Sequence, residues 1–97
     1  MRYAIVLAPE AAEDFRGLKA NLRSTVREAL ETYLRHDPTK VSKSRIKRLR
    51  GISRPQYRLR VGEIRVFYDV TGTTVEILAI VLKSEANSWL AQFASPE

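Results

Sequence analysis

The sequence contains no cysteine and only one histidine, His36, among its 97 residues. The absence of cysteine excludes disulfides, zinc sites built on thiolates and cysteine nucleophiles. A single histidine excludes multi-histidine metal sites, and we interpret His36 as an exposed cation at a helix C-terminus rather than as a catalytic residue. We therefore expect a cytoplasmic protein that needs neither a metal nor another cofactor.

Long hydrophobic runs are also missing. The longest one, Ile77–Leu82, has six residues, whereas a helix needs about 20 apolar residues to span a bilayer. The apolar stretch near the N-terminus has five residues and is too short for a secretory signal. Glycine and proline are scarce, with four of each, and no flexible linker divides the chain. We expect no membrane contact and one domain over residues 1–97.

Positive charge is abundant and unevenly distributed. The 17 Lys and Arg exceed the 11 Asp and Glu, which gives a net charge of +6. The window from Lys40 to Arg65 holds ten cations and one anion, Glu63, for a net charge of +9, while the remainder of the chain carries −3. Such clustering is typical of a surface that binds nucleic acid or an acidic protein. The alternative is a solvated basic loop without a partner.

The first half of the sequence predicts one strand and two helices. Tyr3–Leu7 is an aliphatic run that ends at Pro9, and Pro9 suits the first position of a helix over residues 9–20. Asn21 is the expected N-cap of a second helix that ends near residues 35–36. The apolar residues of this second helix recur with the helical period. They are Leu22, Val26, Ala29, Leu30, Tyr33 and Leu34. The basic residues 38–54 that follow read as a loop.

From Tyr57 onward the apolar period changes from that of a helix to that of a strand. Gly62 and Glu63 form a two-residue turn that pairs Val61 with Ile64. A second turn at residues 72–73 leads into an apolar strand over residues 75–82. A short helix then begins at Ser84 as its cap. Its apolar face contains Ala86, Trp89, Leu90 and Phe93.

The predicted fold class is therefore α+β with the element order β-α-α-β-β-β-α. The three consecutive strands form an antiparallel meander, and the N-terminal strand is expected at an edge, beside the last strand. Two helices pack on one face of this sheet. The opposite face then carries the chemistry.

Three arginines are expected to lie together on that opposite face. The hairpin register places Arg60 opposite Arg65, with Arg58 two residues further along the same strand. Like charges directly across a ladder destabilise a sheet, so three guanidinium groups in one place indicate a site for an anion such as phosphate. The alternative is neutralisation by surface carboxylates. Those carboxylates are Asp69, Glu76 and Glu85.

The same face is expected to carry Phe67, Leu78 and Ile80. Exposed apolar surface beside basic groups would form a patch for a protein partner, whereas under the last helix it would simply be core. A partner that displaces the last helix would reconcile both possibilities.

The sequence resembles the RelE/ParE superfamily of type II toxin–antitoxin toxins. The resemblance rests on an ordered set of motifs that covers nearly the whole chain: L-x-P-E-A near the N-terminus, IKRLRGISRPQYRLRVGEIRVFYDV, and then VEILAIVLKSEANSWL. It implies the small α+β toxin fold, neutralisation by a cognate antitoxin, and, in the RelE branch, ribosome-dependent cleavage of mRNA. In that reaction the ribose 2′-OH attacks the adjacent phosphodiester without a metal.

The resemblance also implies roles for particular residues. The catalytic candidates are Arg58, Arg60, Arg65 and Lys83; Arg65 would hold the scissile phosphate and Lys83 would donate a proton. The expected contacts with RNA and ribosome are Lys43, Arg45, Lys47, Arg48, Arg50 and Arg54. The expected contacts with an acidic, amphipathic antitoxin segment are Phe67, Leu78 and Trp89. Operator DNA would be bound only through the antitoxin.

The sequence departs from the better-characterised RelE nucleases at two places. Those toxins carry lysines on the first strand of the hairpin, whereas Arg58 and Arg60 stand here, and arginine is a poor base. They also use an arginine after the last strand and a tyrosine in the last helix, where this chain has Lys83 and Trp89. Two alternatives therefore stay open: a ParE-like toxin that acts on DNA gyrase without cutting nucleic acid, or an inactive co-repressor that only binds antitoxin.

Overall fold

The computed structural model describes all 97 residues. The chain forms a five-stranded sheet, a separate pair of very short strands, and three helices. The strands are β1 (Ala4–Leu7), β2 (Ile46–Arg48), β3 (Ile52–Arg54), β4 (Tyr57–Val61), β5 (Ile64–Thr71), β6 (Thr74–Leu82) and β7 (Ser95–Pro96). The helices are α1 (Pro9–Arg16), α2 (Ala20–Ala29) and α3 (Ala86–Phe93). A π-helical turn (Leu30–Leu34) continues α2, and a 3₁₀ turn (Lys83–Glu85) precedes α3.

The order of the main sheet is β1-β6-β5-β4-β2. The meander β4-β5-β6 is antiparallel, and β1 pairs in parallel with β6 at one edge. The α+β class and the placement of the first strand beside the last are thus confirmed. The basic segment differs from the expected loop, because it adds β2 to the other edge of the sheet, and its β3 pairs with β7 near the C-terminus.

The helix boundaries correct the sequence prediction. Helix α1 ends at Arg16 instead of residue 20, because Gly17 occupies the C-cap and its N–H bonds to the carbonyl of Glu13. Helix α2 then begins at Ala20 with Lys19 as the N-cap, so Asn21 lies inside the helix and caps nothing. The last helix is also not capped by Ser84, which lies in the 3₁₀ turn.

The hydrophobic core lies between α1, α2 and one face of the sheet. Its helical side chains include Val26 and Leu34, which are fully buried in the predicted apolar stripe. Tyr68 of β5 is fully buried and donates its hydroxyl hydrogen to the carbonyl of Pro38 over 2.6 Å. This bond ties the segment after the π-helical turn to the centre of the sheet.

A bulge in β6 changes which residues face α3. Phe67 pairs with Ala79 and Tyr68 pairs with Ile77, which leaves Leu78 without a partner on β5. Beyond the bulge, Ile80 lies opposite Val66 and joins the core with α1 and α2. The expectation that Ile80 shares a face with Phe67 is therefore wrong. No helix in the structure combines the length and the hydrophobicity that crossing a lipid bilayer requires.

Candidate functional site

The β4-β5 hairpin has the predicted register. Val61 pairs with Ile64, Arg60 with Arg65, and Arg58 with Phe67. Gly62 enables the two-residue turn because its φ of +58° is one that other residues rarely adopt. The three arginines consequently come from one face of two adjacent strands.

A pocket of about 370 Å³ lies between this hairpin and α3. Four cations line it and no carboxylate does. The cations are Lys47, Arg58, Arg65 and Lys83. Asn87 and Leu90 of α3 form the opposite wall. A small cavity with this charge is suited to an anion, and arginine forks match phosphate oxygens.

Both arginines of the pocket are partly buried. Arg65 is only 7% exposed, and its Nη1 donates to the carbonyls of Gly62 and Ile64 over 2.7 and 3.0 Å. The Nε of Arg58 is buried and has no hydrogen-bond partner. Burial, followed by the positive charges of Arg65 and Arg60, lowers the pKa of Arg58. An anion in the pocket would relieve both the missing bond and the charge repulsion.

Arg60 is the member of the predicted triad that lies outside the pocket. Its Nε donates to the carbonyl of Ser44 over 2.8 Å, which directs the guanidinium toward the segment before β2. The structure therefore brings Arg58 and Arg65 together with Lys83, as expected, and leaves Arg60 on the same face beside them.

None of the three carboxylates expected to neutralise the arginines pairs with Arg58, Arg60 or Arg65. Asp69 and Glu76 face each other across β5 and β6, and Arg54 pairs with both, at 3.3 and 3.2 Å. Glu85 forms no ion pair. The alternative of internal neutralisation is wrong for these arginines, so the cations of the pocket have no acidic partner within the chain.

The Asp69 carboxylate provides a test of this arrangement. Burial raises the pKa of Asp69 above its ordinary value of 3.8, while the backbone N–H of Gln56 and the charge of Arg54 oppose that rise. Because the native state holds the proton more tightly than the unfolded chain, this carboxyl's contribution to the free energy of unfolding falls as the pH rises from 3.8 through the native pKa.

We expect Arg54→Gln to raise the pKa of Asp69 further. An NMR titration of the Asp69 carboxyl carbon measures it, with Arg16→Gln as the control; equal values in the two variants would contradict the ion pair.

The six predicted RNA and ribosome contacts separate into distinct environments. Lys43 and Arg50 are exposed, and their side chains form no hydrogen bond or ion pair. The guanidinium of Arg45 lies 4.7 Å from the ring centroid of Tyr33, and that of Arg48 lies 5.4 Å from that of Tyr57. Arg54 is held by the two carboxylates described above. Only Lys47 lines the pocket.

The position of Lys47 in the pocket differs from the sequence prediction, which is a loop over residues 38–54. In the structure Lys47 lies in β2, directly opposite Arg58. The alternation of Ile46, which is buried, with exposed Lys47 was the available signal for a strand.

The predicted antitoxin contacts lie where α3 packs on the sheet. Phe67 is 1% exposed, and Trp89 stacks on it with ring centroids 5.0 Å apart and planes 6° from parallel. Leu78 and Trp89 also line a second cavity of about 470 Å³ on the other side of α3. With α3 in this position, Phe67 is part of the protein interior and one face of Trp89 is covered.

Comparison with known families identifies the chain. The profile described as the ParE toxin of the type II toxin–antitoxin system parDE matches residues 5–86, which include the hairpin and the 3₁₀ turn. The chain belongs to this toxin family, within the RelE/ParE superfamily.

Solved structures of RelE/ParE toxins share the fold. The toxin–antitoxin complex RelBE2 of Mycobacterium tuberculosis contains a chain that is 25% identical, with a TM-score of 0.69 over 84% of this chain and 99% of that one. A RelE–RelB complex from Pyrococcus horikoshii gives 22% identity and a TM-score of 0.69 over 86% and 97%. A mutant of Escherichia coli RelE in the free state gives 21% and 0.68 over 95% and 97%. A search of curated proteins found no significant match.

Proposed function

We propose that this ParE-family protein is the toxin of a type II toxin–antitoxin module and that it inhibits translation by ribosome-dependent cleavage of mRNA. The observation that carries the proposal is the pocket between the hairpin and α3, where four cations meet without a carboxylate. Preorganised cationic donors around a phosphate favour cleavage of a phosphodiester, whereas binding to gyrase gives no specific reason for them.

The cations of the pocket suit the charge that develops during cleavage. The 2′-oxygen attacks the adjacent phosphorus, the bond to the 5′-oxygen breaks, and the products are a 2′,3′-cyclic phosphate and a 5′-hydroxyl end. Negative charge grows on the phosphoryl oxygens in the transition state, and preorganised donors stabilise it without further reorganisation. Arg65 is fixed by two carbonyls and would hold the scissile phosphate. Arg58 would stabilise the developing charge, and Arg60 would contact a neighbouring phosphate.

Lys83 is the residue that we propose serves the leaving group. It follows β6 directly, and its backbone N–H bonds to the carbonyl of Glu63 in the hairpin turn over 2.7 Å. This bond fixes the position of Lys83 relative to Arg65. An ammonium group can donate a proton to the departing 5′-oxygen, as the sequence resemblance implies for this residue.

The direct test uses a reconstituted translation reaction to which the purified protein is added. Primer extension maps the mRNA ends in three reactions: toxin with ribosomes, toxin without ribosomes, and ribosomes without toxin. We expect new ends only when ribosomes and toxin are both present. Intact mRNA in the complete reaction would contradict the proposal if expression of the same protein arrests the growth of cells.

A gyrase-directed activity is the second candidate. It is favoured by the profile match to ParE and by the absence of lysine from β4. In that case supercoiling by purified gyrase would be inhibited while the mRNA stays intact. Normal growth on expression without an antitoxin would instead indicate a co-repressor without toxic activity.

The proposed partner in the cell is an acidic, amphipathic segment of a cognate antitoxin. The similar structures from M. tuberculosis and P. horikoshii are toxin–antitoxin complexes, and the basic hairpin offers a complementary surface. Helix α3 has no fully buried side chain, so it is the element that such a segment would displace to reach Phe67. Binding of operator DNA would then occur only through the antitoxin.

A further inference from the structure

Strand cleavage by a 2′-oxygen needs one group that accepts a proton and one that donates a proton. Arginine cannot serve as the acceptor, because it does not lose its proton in proteins. No histidine, tyrosine, aspartate or glutamate lines the pocket. The side chains there that can exchange a proton are those of Lys47 and Lys83.

These two lysines lie at opposite ends of a row of cations that crosses the sheet diagonally. The strand order β6-β5-β4-β2 supplies Lys83 at the end of β6, Arg65 from β5, Arg58 from β4 and Lys47 from β2. Neighbouring strands are about 4.8 Å apart, and the register offsets Lys83 from Lys47 by four residues along the strands, so the two backbones are separated by roughly 20 Å. Two lysine side chains that reach inward from this distance can flank a phosphate held by the central arginines.

Lys47 is also free to bind a ligand. Its basic neighbours in sequence, Arg45 and Arg48, each donate to backbone carbonyls and lie over a tyrosine ring. The ammonium group of Lys47 forms no hydrogen bond or ion pair, although the ladder fixes its backbone opposite Arg58.

The geometry points to Lys47 as the catalytic residue that accepts the proton of the attacking 2′-OH, with Lys83 as the donor at the other end of the row. This inference rests on the proposed function. The neutral amine of Lys47 takes the 2′-proton as the new bond to phosphorus forms. The ammonium of Lys83 gives a proton to the 5′-oxygen as the old bond breaks. Proton exchange with water then returns both lysines to their starting protonation states. The reaction therefore needs no metal and no redox partner.

The placement agrees with the stereochemistry of phosphoryl displacement. The attacking and leaving oxygens lie roughly in line, on opposite sides of the phosphorus. An acceptor and a donor at the two ends of the arginine row can reach these two oxygens, whereas two groups on one side of the phosphate cannot. Lys47 therefore supplies from β2 the function that the hairpin arginines cannot perform.

The test compares Lys47→Arg with Lys19→Arg, a conservative change at the exposed N-cap of α2. Both variants keep the charge of the protein, and Lys47→Arg keeps a phosphate-binding cation at its position. Cleavage of ribosome-bound mRNA is measured under single-turnover conditions between about pH 6 and pH 9, and binding to the ribosome complex is measured separately. We expect Lys47→Arg to slow cleavage by about 100-fold or more with little change in binding. We also expect the cleavage rate of Lys47→Arg to lose the pH dependence that the wild-type protein shows.

Each outcome has a definite consequence. A Lys47→Arg variant that cleaves at the wild-type rate with the wild-type pH profile would overturn the assignment and leave the proposed function intact. A variant that binds weakly but keeps the pH profile would show that Lys47 is only a phosphate contact and would likewise overturn it. If the wild-type protein cuts no mRNA in the same reaction, the proposed function fails and this inference fails with it.

Discussion

Replacing Arg58 with alanine is expected to slow mRNA cleavage by about 100- to 1000-fold, which is the usual cost of removing one preorganised donor to a developing negative charge. The expectation follows from the buried Nε of Arg58, which has no partner within the chain and is therefore available to a phosphate oxygen. The measurement is the rate at which ribosome-bound mRNA is cut by saturating toxin.

The same variant should not lose stability. In the unliganded protein, Arg58 is partly buried and is repelled by Arg65 and Arg60, so its removal relieves an unfavourable arrangement. We expect an unchanged or higher melting temperature for Arg58→Ala. Arg16→Ala serves as the control, because the Arg16 side chain is exposed on α1 and pairs only with Glu13. An active Arg58→Ala variant, or one that is inactive because it is unfolded, would contradict this account.

Replacing Phe67 with alanine is expected to lower the free energy of unfolding by about 3–5 kcal/mol, the usual range for a buried aromatic side chain. Phe67 is 1% exposed and carries the stacked ring of Trp89, so its loss removes the main apolar support of α3. Urea unfolding followed by circular dichroism gives the difference from the wild-type protein. Fluorescence of Trp89, the single tryptophan, reports whether α3 stays in place.

Phe93→Ala is the matched control for this prediction. Phe93 also contacts Trp89, with ring centroids 5.5 Å apart, but it is 58% exposed. We expect it to cost less than about 1 kcal/mol. Similar losses in the two variants would show that α3 is held by contacts other than the stack on β5.

The hairpin was predictable because local rules determine it. Gly62 allows a two-residue turn, and alternation along Tyr57–Val61 and Ile64–Thr71 assigns each side chain to a face. These two facts are sufficient to place Arg58 and Arg65 together. The N-terminal strand beside β6 followed from the order of the elements.

Other features depend on long-range packing that local patterns do not encode. Counting outward from the turn at Gly72 pairs Phe67 with Leu78, but the bulge shifts the partner to Ala79. Asp14 of α1 accepts a hydrogen bond from the backbone N–H of Ile80 just beyond the bulge, so the deviation involves a residue more than 60 positions away. Strand β2 is three residues long and is stabilised by pairing with β4, so its local sequence alone does not distinguish Lys47 from the surface cations around it.

The most direct measurement identifies the chemical ends of mRNA recovered from a translation reaction that contains the purified toxin. We predict that the wild-type protein leaves a 2′,3′-cyclic phosphate on one fragment and a 5′-hydroxyl on the other. These ends should be absent without ribosomes and strongly reduced with Arg58→Ala. Intact mRNA in a reaction whose toxin still inhibits gyrase would contradict the account and would assign the basic pocket to a different partner.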